Sequence, residues 1–427
     1  MNDNLTVFHL PNGLKVMLKE VHSAPLVSSW VWYNVGSRNE LPGKTGLSHW
    51  VEHMQFKGTR SMSAQQMDHA IARTGGIWNA LTSQDWTTYF ETLPADALDL
   101  ALKIESERMH GSLFDPAEAE TERTVVISER EGSENDPQFR LSEAVQFKSF
   151  DHHPYRIEVI GSMEDLRTMT RDDLWQHYVN YYQPGNATLC IAGDFNTEEA
   201  ADSVRKYFGD IAPGETKAVI PQPEGPIAGE RRVEMSGPGE ATFIQVAYRT
   251  PKADSEDFFA YTILDSLLAG PSSLNMFGSG AISNRTSRLY QALIESHLAV
   301  AVYGGLNASI DPGSYTFNLT LHPEADPAAL LAAFDQQLEA LRNDLVSQNE
   351  LDRAVKQARA LFAYGSDNVT NQAFWMGYAG TFASYDWFTN YVDKLARVTP
   401  DQVRQAAQRY LGADQRVVGI YQPDGKA

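Results

Sequence analysis

The sequence predicts a two-domain protein of mixed helix and strand whose second half repeats the first. Three observations carry this. The chain has 427 residues, more than one ordinary domain accommodates. Its first half alternates strand-like runs with helix start and stop signals. A segment near residue 170 recurs near residue 400 in ungapped register, at an offset of 229.

In chain order, the runs Leu5 to His9 and Leu14 to Leu18 flank Asn12-Gly13, a hairpin signal. A longer apolar stretch, Leu26 to Val35, precedes a loop leading into a helix around His49. Ser63-Ala64-Gln65-Gln66 reads as a capping box opening a helix that Gly75 and Gly76 terminate. Thr87 to Leu93 reads as a strand, and Ala95 to His110 as an amphipathic helix with Leu98, Leu102 and Ile104 among its apolar positions. Asp115 as N-cap, Pro116 at the first helical position and Glu118 closing a capping box start a helix that runs through Arg130. Pro213-Gly214, Pro221, Pro223 and Pro226 then interrupt any regular pattern. This places a domain at 1–215, a linker at 216–230 and a second domain at 231–427. The repeat pairs Met169-Thr170-Arg171-Asp172-Asp173-Leu174 with Val398-Thr399-Pro400-Asp401-Gln402-Val403. Each copy precedes a helix containing a tyrosine, Tyr181 or Tyr410, and then an apolar strand, Thr188 to Ala192 or Val417 to Tyr421. Asn349-Glu350-Leu351 likewise starts a long helix matching the one at 116–135.

Composition narrows the function classes. Apolar residues make up 42%, ample for sizeable cores, and no stretch approaches a membrane span. A formal charge of −20 opposes nucleic-acid phosphates and favours basic peptides. The one cysteine, Cys190, excludes an internal disulfide and sits in an apolar run, so a buried strand residue is expected there. Met1-Asn2-Asp3-Asn4 shows no secretory signal, which reads as cytoplasmic, or periplasmic if a signal was removed. Gly270 to Gly280 is rich in glycine but lacks the Gly-Lys-Ser/Thr ending of a P-loop, which rejects nucleotide binding.

The chemistry concentrates in His49-Trp50-Val51-Glu52-His53. Helix positions i, i+3 and i+4 lie side by side, so two imidazoles can close on one Zn²⁺ while Glu52 holds and deprotonates a water. A third protein ligand must come from elsewhere. The helix starting at Pro116 places Glu122 and Glu129 seven residues apart, on one face with Val125 and Val126 beside them. Carboxylates on a partly apolar face need a reason to be there. The bland alternative is a solvated acidic helix.

These residues resemble the inverzincin metallopeptidases related to pitrilysin, insulysin and the mitochondrial processing peptidase. The similarity runs over essentially the whole chain: Leu10 to Val16, Val35 to Glu40, Gly46 to Thr59, Gly75 to Ala80 and Thr87 to Tyr89. It implies two α+β halves, each a mostly antiparallel sheet packed by helices. It implies Zn²⁺ held by His49, His53 and Glu129, with Glu52 as general base and Glu122 supporting the site from outside. It implies that Asn79 and Ala80 lie on a sheet edge where a peptide substrate can pair as an added strand. The second copy has Ala354 and Leu361 near the positions of Glu122 and Glu129 and no His-x-x-Glu-His, so it has kept the fold and lost the metal site.

One departure stands out. Active relatives carry an Arg and a Tyr after a Ser-Arg-Leu-Phe-like stretch. Here that landmark is Ser287-Arg288-Leu289-Tyr290, and the two positions fall on His297 and on Val300 or Ala301, with Tyr303 close by. The resemblance therefore implies a zinc metalloendopeptidase acting within an enclosed chamber, as the zinc-bearing subunit of a heterodimer whose homologous partner brings the Arg/Tyr pair. A homodimer is the alternative assembly. The alternative function is a non-catalytic assembly or peptide-binding subunit. His152 and His153 resemble a loop element; His69, His110 and His177 read as structural or exposed.

Overall fold

A computed structural model describes residues 5–270 and 284–425, so most of the glycine-rich stretch at 270–280 lies outside the described residues. The chain groups into two compact units. One comprises 1–131, 157–221 and 366–385; the other comprises 132–156, 222–365 and 386–427.

In the first unit, β1 (Leu5–His9), β2 (Lys15–Glu20), β3 (Leu26–Tyr33), β4 (Ile77–Thr82), β5 (Thr87–Pro94) and β6 (Ala187–Gly193) form one sheet in the order β1-β2-β6-β3-β5-β4. β2 and β6 run parallel, and the other neighbours are antiparallel. The helices are α1 (Leu47–Met54), α2 (Ala64–Thr74), α3 (Leu98–Gly111) and α4 (Pro116–Glu134). Ser63 and Gln66 form the expected capping box of α2, which ends on Gly75 in the left-handed region. Cys190 is buried in β6.

β3 is buried along both faces, although Ser28 and Ser29 interrupt its apolar residues. One face carries Val27, Val31 and Tyr33 into the core shared with Trp50 and Met54 of α1 and Leu102 of α3. On the other face, Trp30 and Trp32 meet Phe374 of the helix Val369–Phe382 edge-on, at centroid distances of 5.5 and 5.3 Å. A strand covered on both sides has no solvent-facing side, so the apolar/polar alternation of a half-exposed strand is absent, and Ser28 Oγ finds its partner inside, in Thr92 Oγ1 at 2.9 Å. The helix comes so close that a Cβ on Gly377 would lie 2.0 Å from Trp32 Nε1. Each fully buried large apolar side chain contributes about 1.5–3 kcal/mol, and Trp30 and Trp32 are among the largest in the chain.

In the second unit, β7 (Arg231–Gly237), β8 (Phe243–Arg249), β9 (Ala299–Tyr303), β10 (Ser314–Leu321) and β11 (Arg416–Pro423) form a sheet in the order β7-β11-β8-β10-β9. Without β1, the first sheet has the same order and the same single parallel pair, here β7 with β11. Both sheets are thus mixed, mostly antiparallel, and the fold is α+β as expected. The repeat holds in detail: the helices Arg171–Tyr181 and Pro400–Tyr410 both start at a threonine capping box and end on the matching tyrosines. The helix α5 (Pro137–Ser149) covers this second sheet, with Leu141 and Val145 among Val417 and Tyr421. Each half of the sequence therefore lends one helix to the other half's sheet.

Two devices fix α1 in place. Glu40 accepts the backbone N–H groups of Gly46 (2.8 Å) and Ser48 (2.7 Å) at the start of the helix. Gly46 adopts φ +91°, and a Cβ there would sit 2.5 Å from the Ile160 carbonyl oxygen, so only glycine suits this approach. α4 is capped by Asp115, which accepts from Ala117 N and Glu118 N. Arg123 anchors it by donating to the carbonyls of Leu166 (2.6 Å) and Met169 (2.8 Å) and by stacking 4.8 Å above Trp50 of α1. The apolar face of α4 is narrower than the sequence suggests: Val126 is buried, whereas Val125 is 40% exposed.

Candidate metal centre

The helical spacing brings His49 and His53 together. Their Nε2 atoms lie 3.3 Å apart. The second long helix, α4, delivers Glu129, with Oε2 3.5 Å from His53 Nε2 and 4.0 Å from His49 Nε2. Among the described residues, these three form the one group of His, Cys, Asp or Glu side chains close enough to share an ion. The spacing fits the ion: two nitrogens bound at about 2.0–2.1 Å in a tetrahedron stand roughly 3.3–3.4 Å apart.

The protonation state of His49 fits as well. Burial lowers His49 to about 4, which keeps its ring neutral and able to ligate at neutral pH. Burial opposes a charge on His53 too, but its hydrogen bond to Glu122 and the nearby Glu129 and Glu52 leave it raised. His53 Nδ1 lies 2.8 Å from Glu122 Oε1. With Nδ1–H donated to that carboxylate, Nε2 turns its lone pair toward His49 and Glu129. Glu122 itself is buried, which would raise it. His53 and Lys57, which pairs with its other oxygen, outweigh burial and lower it.

Glu52 lies on the same turn. Burial raises its pKa, opposed by the Thr82 hydroxyl, which donates to Oε2 at 2.5 Å, and by His53. Thr82 ends β4, an edge of the sheet. Asn79 is exposed on that strand, Ala80 is buried, and Asn79 Oδ1 accepts from Ala80 N at 2.9 Å.

Residues 15–162 match the profile described as insulinase (peptidase family M16), and residues 168–358 match the profile described as peptidase M16 inactive domain. The zinc protease PqqE of Helicobacter pylori is 30% identical over 88% of this chain and 82% of its own length. The chain belongs to the M16 peptidase family. An uncharacterized zinc protease of Mycobacterium leprae is similar to this M16 chain at 27% identity, over 94% of the chain and 88% of its own length. Among solved structures, a protease from Helicobacter pylori superposes with a TM-score of 0.89 at 26% identity, covering 99% of this chain and all of that one. The first half of the periplasmic protease PqqL from Escherichia coli shares the fold with a TM-score of 0.77 at 21% identity, covering 98% of this chain and 92% of that one.

The second M16 half carries no acids at the matching helix positions: Ala354 and Leu361 are buried in the helix Gln348–Gly365. His297 takes a left-handed φ of 59° just before β9, and Val300 and Tyr303 are exposed on that edge strand. His153 is buried against Asp311, and His177 lies 3.2 Å from Ser48 Oγ; both have structural partners. Lys57, Glu40 and Thr82 support the site but were not singled out in the sequence. Lys57 lies just past the end of α1, four residues after His53, where no helical spacing would have marked it.

Because Glu122 is bonded to His53, one of the three candidate ligands, Glu122→Gln is expected to weaken zinc affinity about 10–100-fold. A competition titration with a chromophoric chelator reads this directly. Unchanged affinity would show that Glu122 serves the fold alone.

Proposed function

We propose that this chain is a zinc-dependent metalloendopeptidase in which His49, His53 and Glu129 hold the ion, Glu52 is the general base and Glu122 supports His53. The observation that carries the reading is the convergence of three ligand atoms within 4.8 Å of one another, with Glu52 on the same helical turn. When bound, Zn²⁺ supplies Lewis acidity that makes water a usable nucleophile at neutral pH. Glu52 then acts on its own account: Oε2 is held by Thr82, and Oε1 accepts the proton of the attacking water and passes it to the leaving amine nitrogen. A storage site would need no such carboxylate. Asn79 and Ala80 on the free edge of β4 receive the substrate backbone as an added strand.

The substrates in this reading are peptides or unfolded segments admitted to an enclosed chamber. The positions where an Arg and a Tyr would hold substrate and oxyanion fall on His297 and on Val300 or Ala301. A homologous, non-identical subunit supplies that pair, so the working unit is a heterodimer.

Metal analysis combined with peptide digestion tests both parts. The expected result is one zinc per chain, hydrolysis abolished by chelation and restored by zinc, and a rate that rises when the partner is added. A chain that cleaves as fast alone as with a partner would overturn the heterodimer. A zinc-loaded chain that cleaves nothing in either state would favour the peptide-binding subunit.

A further inference from the structure

The contact between Thr82 and Glu52 joins two parts of the proposed machinery. β4 runs along α1 with alternate side chains turned to the helix. Trp78 packs edge-on against Phe56 at a centroid distance of 5.0 Å, and four residues later Thr82 Oγ1 donates to Glu52 Oε2 at 2.5 Å. Phe56 stands four residues beyond Glu52, in the turn that ends α1, so β4 is pinned to the helix and to its closing turn, once by a polar and once by an apolar contact. Thr82 is also paired with Thr87 of β5, which fixes its backbone within the sheet.

We infer that Thr82 is a positioning residue for hydrolysis, which rests on reading Glu52 as the base. A glutamate side chain has three rotatable bonds, and half-burial alone does not select which oxygen faces the reacting water. The Thr82 hydroxyl settles this by engaging Oε2, while Oε1 has no hydrogen-bond partner among the described residues. Asn79 and Ala80 lie on the same short strand, so the base and the proposed substrate-pairing edge move as one piece. A substrate docked in register on β4 is thereby in register with Oε1.

The test compares Thr82→Val, which keeps the shape and removes the hydroxyl, with Thr82→Ser, which keeps the hydroxyl. Thr82→Val is expected to lower kcat about 10- to 100-fold with KM changed little, the scale expected when a reacting group is misplaced by an ångström. Thr82→Ser is expected to recover most of the rate, and zinc affinity should stay the same in both. In metal-free protein, the shift in urea midpoint caused by Thr82→Val should vanish in a Glu52→Ala background, because the partner is already gone. Full kcat in Thr82→Val, equal impairment in Thr82→Ser, or additive midpoint shifts would each overturn the inference. Glu52→Gln serves as the reference arm. If it retains hydrolysis, the base assignment has failed; if it is inactive while Thr82→Val is fully active, only the positioning role has failed.

Discussion

Glu52→Gln is expected to lower kcat/KM for a peptide substrate about 10²–10⁴-fold while leaving the bound zinc unchanged. The range is what a positioned proton-transfer group contributes. Gln keeps the size of the side chain and can still accept from Thr82, so the contact that holds Oε2 survives. What disappears is the capacity to take a proton. His49, His53 and Glu129 do not depend on it, so zinc stoichiometry should match the parent protein. Steady-state kinetics together with elemental analysis check both halves of this expectation. Hydrolysis at the parental rate would remove Glu52 from the mechanism, whatever the metal content.

The second large effect lies beneath the site. Arg108, 1% exposed, is bonded through Nη1 to Glu105 Oε1 at 2.5 Å and to Glu91 Oε1 at 3.4 Å, both carboxylates being fully buried. Its guanidinium lies 4.5 Å from the ring of Phe56, 4.7 Å from Trp78 and 5.3 Å from Tyr89. Arg108→Leu removes the cation and leaves two carboxyl groups without a counter-charge, which is expected to cost about 3–5 kcal/mol of folding stability. The loss should depend on pH. Burial and the charge of Glu105 already hold the Glu91 carboxyl well above its usual range, and Arg108 pulls it back. Without Arg108, the folded-state value rises further, while in the unfolded chain Glu91 still titrates near about 4.3. A carboxyl raised in the folded state contributes fully below its unfolded pKa, and its contribution is lost as pH rises through the folded value. Arg108→Leu should therefore be less destabilising at pH 4.5 than at pH 8. Urea unfolding at the two pH values measures this. An equal loss at both would show that the aromatic packing of the guanidinium, and not its charge, is what matters.

How much of this was legible beforehand depended on whether the signal was local. The ends of the helices Arg171–Tyr181 and Pro400–Tyr410 follow from capping residues and one repeated register, both written within a dozen residues. His49 and His53 meet because a helix turn brings them together, and Glu122 and Glu129 share a side of α4 for the same reason. Val125 against Val126 was not decidable, because both border that side and only the packing of α4 buries one of them. The pairing of Thr82 with Glu52 spans 30 residues and two element types, and no periodicity encodes it. The helix Val369–Phe382 lies more than 300 residues from β3 in sequence. Nothing in either segment names its partner; the two tryptophans of β3, alternating with Val31 and Tyr33, only announce that something must cover its second face.

That exchange of helices bears on how the protein is made and on what can be removed from it. On the ribosome, the first sheet emerges long before the helix that shields Trp30 and Trp32 has been translated, so its aromatic face waits for the last sixth of the chain. A nascent chain in that state presents apolar surface, which is where partly folded chains aggregate. Deleting the second half would therefore strip the first sheet of part of its own interior, since the helix that carries Phe374 would go with it.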